Sequence, residues 1–395
     1  MTSASAGIEP FRIHVDDGVL DDLKERLKRT RFPMDVDNDD WKYGANVAYM
    51  DELVRYWIDE YDWRSVEQAM NGFHHYRTEI DDCPIHFIHE KGKGPSPVPL
   101  ILTHGWPWSF WDFRDVIGPL TDPAAHGGDP ADAFDVIVPS LPGFGFSTPL
   151  KRTGINYWRT ADLWVRLMCD VLGYERFAAQ GGDWGSIITA QLGHKHADRM
   201  LGIHLSLCFP MDFFDNGVPG EDAYAENEKH LYHHTQERMV HTRSHVVVQS
   251  TDPQTLAVAM HDSPAGLLAW LTERRRNWSD CDGDVETVYS KDDLITLAMM
   301  YWVTESFVTS VRYYWESAHD SWKPSHSRTP VVEAPTAIAL FPQELCLMPK
   351  RFMETYYDLR QLTSMPRGGH FAPSEQPELL VEDVRKFFRT LREES

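Results

Sequence analysis

The stretch FAAQGGDWGSIITAQ, residues 177–191, holds the key to the fold. Phe177 to Gln180 is a short apolar run of the buried-strand type, Gly181-Gly182-Asp183-Trp184-Gly185 is a turn flanked by glycines, and a helical pattern follows from Ser186. Strand, glycine turn and helix in that order build a nucleophile elbow, where small neighbours allow a strained turn to push one side chain into a cleft. The place usually held by serine carries Asp183. A plain strand–helix turn with Asp183 as helix N-cap has the same local pattern, so the neighbouring segments must separate the two readings.

Outward from the elbow the same rhythm continues. VPLILT (98–103), DVIVPS (135–140), LGIHLSL (201–207), PTAIALF (335–341) and QLTSM (361–365) are further short apolar runs. Helix-length segments such as Tyr157–Leu172 and Gly185–His196 stand between most of them. That alternation predicts a parallel, doubly wound sheet covered on both faces. Residues 209–334 interrupt it with no strand rhythm, many His, Trp and Tyr, and a long helix pattern from Asp292 to Trp315. A structureless loop of that length is implausible, so a helical cap inserted in the sheet is expected. Residues 1–95 read as helices (from about Val19, over 49–61 and over 63–70) leading to a hairpin of HHYRTEI (74–80) and PIHFIHE (84–90). The expected organisation is therefore 1–95 extension and hairpin, 96–208 first part of the core, 209–334 cap and 335–395 second part of the core.

Three other segments fall where an α/β-hydrolase fold needs them. Leu102-Thr103-His104-Gly105-Trp106-Pro107 ends the first core strand, where the loop donating an oxyanion-hole N–H belongs. Trp106 N–H is expected as one donor and Trp184 N–H, next after the elbow aspartate, as the other. Glu344 in FPQEL sits just past a strand end, and His370 in RGGHF follows the last core strand. Nucleophile, acid, histidine is the chain order of this fold. Asp358 is a rival acid, expected within a helix after Glu344 and so less well placed. The histidines His230, His233, His234, His241 and His245 lack an H-E-x-x-H or cysteine partner at ligand spacing, so packing or solvated histidines are expected and no metal. The stripe Tyr301, Trp302, Phe307, Trp315 reads as packing, and no phosphate-cradling glycine pattern implies a cofactor.

The chain resembles α/β-hydrolase-fold epoxide hydrolases, of the microsomal-type branch with an extended N-terminal segment. The likeness rests on FRIHVDDGVLDDLKERLKRTRFP, YWIDEYDWRSVEQAMNGFHHYRTEIDDCPIHFIH, HGWP, LPGFGFS, GGDWG, DSPAGLLAW and GGHFAP, and runs over nearly the whole length. It implies Asp183 as nucleophile, His370 as water-activating base, Glu344 as its orienting acid and Tyr314 in SVRYYWES as the cap tyrosine that binds the epoxide oxygen. Tyr313 and Tyr314 point to different helix faces, so one of the two is expected in the core. Relatives commonly use two cap tyrosines. Aligned on Gln249-Ser250-Thr251, the first falls at His245, which leaves the pair incomplete and makes His245 a candidate second donor. If so, alkylation is expected to slow as pH rises through the ordinary imidazole range. The chemistry independently suits these residue types, because a carboxylate is already ionised at neutral pH and attacks without a base. The branch's vertebrate members begin with a membrane-anchor helix, and no such anchor is expected here.

Composition narrows the setting. With 38 Lys+Arg against 60 Asp+Glu the net charge is −22, which opposes nucleic acid and anionic membranes as partners. Five scattered cysteines without C-x-x-C read as free thiols in a reducing compartment. The start, MTSASAGIEPFRIHV, has neither the basic nor the apolar region of a signal peptide, so a cytoplasmic protein is expected. The expected partners are a bulky apolar or aryl epoxide and water, in detoxification or secondary metabolism, with a homo-oligomer left open. Two alternatives use the same scaffold: a haloalkane- or fluoroacetate-type dehalogenase sharing the Asp nucleophile, and a non-catalytic binding protein.

Overall fold

The computed structural model describes residues 7–393. The strands are β1 (Glu9–Phe11), β2 (His75–Ile80), β3 (Cys83–Glu90), β4 (Val98–Thr103), β5 (Phe134–Pro139), β6 (Phe177–Gly181), β7 (Met200–Leu205), β8 (Val332–Leu340) and β9 (Tyr357–Ser364). They form one sheet in the order β1-β2-β3-β5-β4-β6-β7-β8-β9. Pairing is antiparallel from β1 through β3 to β5 and parallel from β5 through to β9. β4 to β7 are buried over most of their length because helices cover both faces, which is why they read as unbroken apolar runs.

The helices are α1 (Asp17–Lys28), α2 (Val47–Asp59), α3 (Trp63–Met70), α4 (Arg114–Thr121), α5 (Tyr157–Val165), α6 (Trp184–Lys195), α7 (Phe213–Asn216), α8 (Lys229–Thr251), α9 (Pro253–Asp262), α10 (Pro264–Trp278), α11 (Lys291–Val303), α12 (Phe307–Ala318), α13 (Lys350–Tyr356), α14 (Ala372–Glu375) and α15 (Pro377–Glu393). Neighbouring residues of β7 show the two layers. A Cβ on Gly202 would touch Leu391 and Phe387 of α15, while Ile203 touches Gly193 of α6. Successive strand residues face opposite ways, so α15 and α6 cover opposite faces. The chain between β7 and β8 is helical (α7–α12), and the N-terminal helices lie against it. Arg26 bridges to Asp262 at 2.7 Å, Tyr61 Oη meets Thr296 Oγ1 at 2.9 Å, and Lys291 pairs with Glu52.

The structure corrects three expectations. The single helix over Asp292–Trp315 is two helices, α11 and α12, bent by 83°. Glu305 at the break has φ +52°, a left-handed conformation no helix continues through. Asp358 lies on β9 rather than in a helix, and binds Arg360 at 2.8 Å. Residues 9–11 add an outer strand, β1, to the hairpin, where no strand was expected. All five cysteines are free thiols. Among the described residues no single helix is long and apolar enough to cross a membrane.

Candidate active site

Register brings the site together. Thr103 at the end of β4 pairs with Gly181 at the end of β6, so the loop after β4 lies against the elbow. Asp183 has φ +51° and ψ −128°, a strained conformation for a residue with a side chain. The turn holds because its flanks are bare. A Cβ on Gly181 would stand 2.1 Å from Gly185 O, and one on Gly185 would stand 1.9 Å from Thr103 O. The elbow reading therefore holds over the plain N-cap turn, since the Asp183 side chain caps no amide of α6.

The two oxygens of Asp183 face different groups. Oδ1 accepts the Trp106 amide at 2.7 Å. Oδ2 lies 3.2 Å from His370 Nε2, within ion-pair distance but not aligned as a hydrogen bond. The Trp184 amide, expected as a second donor, makes no bond to the carboxylate in this state. On its other side His370 Nδ1 is 2.6 Å from Glu344 Oε1, which also accepts the Leu345 amide at 2.6 Å. His370 and Glu344 are each 1% exposed, so these contacts act in a low dielectric. Burial pushes the His370 pKa down, but the Glu344 and Asp183 carboxylates outweigh it and raise the pKa to about 10. Both ring nitrogens face carboxylates, which only accept, so the pair of contacts suits the imidazolium.

Aromatic rings close the site from the cap. Tyr314 of α12 is buried, with its ring edge-on to Trp184 at 4.8 Å and to Trp106 at 5.9 Å. Burial and then the Asp183 carboxylate push its pKa well up, so it remains a phenol. Tyr313 bonds Thr160 Oγ1 at 2.8 Å and belongs to the packing. His245 of α8 stacks on Trp106 at 5.2 Å and stands edge-on to Tyr314 at 5.5 Å, with Nδ1 unpartnered. Burial, then Arg274 and His370, push its pKa well below the usual imidazole range. That direction runs against the expected fall of alkylation through the ordinary imidazole range.

Of the rival candidates, Asp358 is paired with Arg360, and the carboxylate at His370 Nδ1 is that of Glu344. His234 Nε2 bonds the Glu344 carbonyl at 2.9 Å. Among the described residues no group of three His, Cys, Asp or Glu is arranged to hold a metal ion. Sequence reasoning missed Trp278, whose carbonyl accepts the His370 amide at 3.0 Å and whose ring stands edge-on to the imidazole at 5.3 Å. It also missed Arg275, which is buried against Asp112 at 2.6 Å and bonds Pro107 O at 3.1 Å, tying α10 to the loop that carries Trp106. Both lie in the helix that DSPAGLLAW opens, and a buried arginine beside a motif was the available signal.

Comparison with known proteins places the chain in the same family that its motifs resemble. Residues 8–113 match the family described as "Epoxide hydrolase N terminus", and residues 98–219 match that described as "alpha/beta hydrolase fold". A Stigmatella aurantiaca relative, provisionally named an epoxide hydrolase, is 41% identical over 387 residues, covering 98% of this chain and 86% of its own. Epoxide hydrolase 1 of Oryctolagus cuniculus is 34% identical over 402 residues, covering 96% of this chain and 88% of its own. The crystal structure of juvenile hormone epoxide hydrolase from the silkworm Bombyx mori superposes with a TM-score of 0.81 at 30% identity, over 98% of this chain and 95% of that one. Neither the dehalogenase nor the inert-scaffold alternative is favoured by these likenesses. An aspartate at the elbow, a buried histidine between two carboxylates and an N-terminal segment shared with these relatives all lead one way: the chain belongs to the epoxide hydrolases of the α/β-hydrolase fold.

Proposed function

We propose that the chain opens a bulky apolar or aryl epoxide to a vicinal diol in two steps, through an ester on Asp183. The observation that carries this reading is the split setting of one carboxylate: Oδ1 is anchored on the Trp106 amide at 2.7 Å, while Oδ2 stands 3.2 Å from the His370 imidazole. Oδ2 attacks a ring carbon and the C–O bond breaks. Tyr314 donates to the departing oxygen with His245 beside it, the latter as a neutral N–H donor. Alkylation removes the charge of Asp183, one of the two carboxylates that hold the imidazole protonated. The His370 pKa falls as a result, and the proton it releases replaces the one given to the alkoxide.

In the second step His370, oriented by Glu344, takes a proton from water. The hydroxide adds to the Asp183 carboxyl carbon, and the charge forms on Oδ1, which the Trp106 amide already holds, with the Trp184 amide as the expected second donor once the carbon is tetrahedral. The former epoxide carbon then leaves with Oδ2 as its hydroxyl, taking the proton back from His370. No cofactor or metal enters the scheme. The aromatic wall of Trp106, Trp184, Trp278 and Tyr314 favours apolar or aryl substrates, in detoxification or secondary metabolism. Free cysteines suit the cytoplasm, and nothing in the scheme requires an oligomer. A panel of chiral epoxides with the product diols resolved tests the reading. Diols from bulky aryl or apolar epoxides support it, and no turnover across the panel overturns it.

A further inference from the structure

The loop that carries His370 has every backbone amide from 368 to 371 bonded, and two carboxylates outside the reacting set take three of the four. Gly368 N donates to Asp280 Oδ2 at 2.8 Å, Gly369 N to Glu375 Oε2 at 2.9 Å, His370 N to Trp278 O at 3.0 Å and Phe371 N to Glu375 Oε1 at 2.8 Å. Glu375 Oε2 also accepts the Asp280 amide at 2.8 Å, which joins the loop to the segment ending α10. Glu375 thus grips the amides on both sides of the base at once. All three of its partners donate, which suits the two acceptor oxygens of an ionised carboxylate; burial pushes the Glu375 pKa up, and the three amides and His370 oppose that rise.

We propose that Glu375, with Asp280, is a positioning residue for the hydrolytic step: it fixes the imidazole over the ester and adds a negative charge that favours the protonated ring. The inference rests on the two-step reading above and extends it to a group that touches neither substrate nor water. The attack of Asp183 on the epoxide does not use the aim of His370, so alkylation is spared. Water activation does use it, and an angstrom of drift there is expensive. The other charged or titratable groups facing this pair are Glu344, Asp183 and His245 at the ring and Arg238, Tyr289 and Cys281 around Glu375, with Arg275 beside Tyr289 and Phe371. All of them are retained in the variants below.

Glu375→Gln keeps the side-chain length but offers one acceptor oxygen where two are used, so at least one amide loses its partner. Single-turnover reactions followed by mass spectrometry of the Asp183 peptide read the two steps separately. The variant should form ester within about threefold of the wild-type rate. It should hydrolyse that ester roughly ten- to a hundredfold more slowly, the loss expected of an unpaired buried amide. The pH at which hydrolysis rises should move down, because a charge favouring imidazolium is gone. Hydrolysis within about threefold of wild type, with the same pH midpoint, overturns the proposal. Asp280 supplies the second test should Glu375→Gln not fold. Asp280→Asn keeps an oxygen for Gly368 and should hydrolyse normally, Asp280→Ala should not, and equal rates in the two overturn the proposal. Label studies on the wild type that show no ester overturn the two-step reading, and this inference with it.

Discussion

Gly105→Ala is the substitution whose effect follows most directly from the structure. A Cβ at residue 105 would stand 2.1 Å from Asp183 Oδ1, 2.3 Å from its Cβ and 2.5 Å from its Cγ. Contacts below 3.0 Å do not persist, so Oδ1 must retreat by about 0.9 Å from a contact at 2.1 Å. That movement takes it off the Trp106 amide, now at 2.7 Å, and turns Oδ2 away from its line of attack. Misplacing a reacting group by about 1 Å costs on the order of a hundredfold in rate, or about 2.7 kcal/mol. The backbone at Gly105 has no positive φ, so the strain comes from this clash, which through the Asp183 Cβ presses on the elbow backbone as well as on the carboxylate. The assay is single-turnover alkylation with enzyme in excess, with thermal unfolding as a control for folding. A folded Gly105→Ala protein that alkylates within about threefold of wild type would refute the argument that this oxygen's position governs attack.

Four further outcomes are expected. His370→Gln should accumulate the Asp183 ester, seen as a mass adduct, and Asp183→Ala should form none; an unadducted His370→Gln protein after exposure to substrate removes the base assignment. Because folding raises the His370 pKa from 6.5 to about 10, its stabilising contribution is complete below the unfolded value and fades as pH climbs through about 10. The stability gap between wild type and His370→Gln should therefore narrow from pH 6 towards pH 10, and a gap that widens contradicts this. Arg275→Met leaves the Asp112 carboxylate buried and unpaired, which should cost about 3–5 kcal/mol in chemical denaturation; a loss under about 1 kcal/mol would show the pair to be dispensable. With His245 neutral, wild-type alkylation should show no fall through the ordinary imidazole range, and His245→Phe should slow it at every pH without reshaping the profile; an unchanged rate makes His245 a bystander.

How much of this was legible in the sequence depended on how local the cause was. β4, β5, β6 and β7 were readable because burial on both faces leaves unbroken apolar runs. The elbow was readable because strand, glycine turn and helix follow one another in sequence, although the contact that forces Gly185 comes from Thr103 on β4. Glu344 and His370 followed from their places after strand ends. β9 was read only in its second half, as QLTSM (361–365): only Tyr357 is buried in the strand, so its start around Asp358 carries little apolar signal. The α11–α12 break hides because α11 is buried nearly all round, which leaves no helical stripe whose interruption would show. The lowered pKa of His245 comes from tertiary burial, and the grip of Glu375 and Asp280 on the base loop joins segments about ninety residues apart. No spacing rule carries such contacts.

The central claim is that Asp183 becomes esterified and that water attacks its carboxyl carbon. It is tested most directly by one turnover in heavy-oxygen water with enzyme in excess, followed by mass analysis of the Asp183 peptide and of the diol. The account predicts one heavy oxygen on Asp183 and an unlabelled first-turnover diol, because the diol takes its new oxygen from the carboxylate. Label in the diol with none on Asp183 would mean that water opens the ring directly, and the account would be wrong.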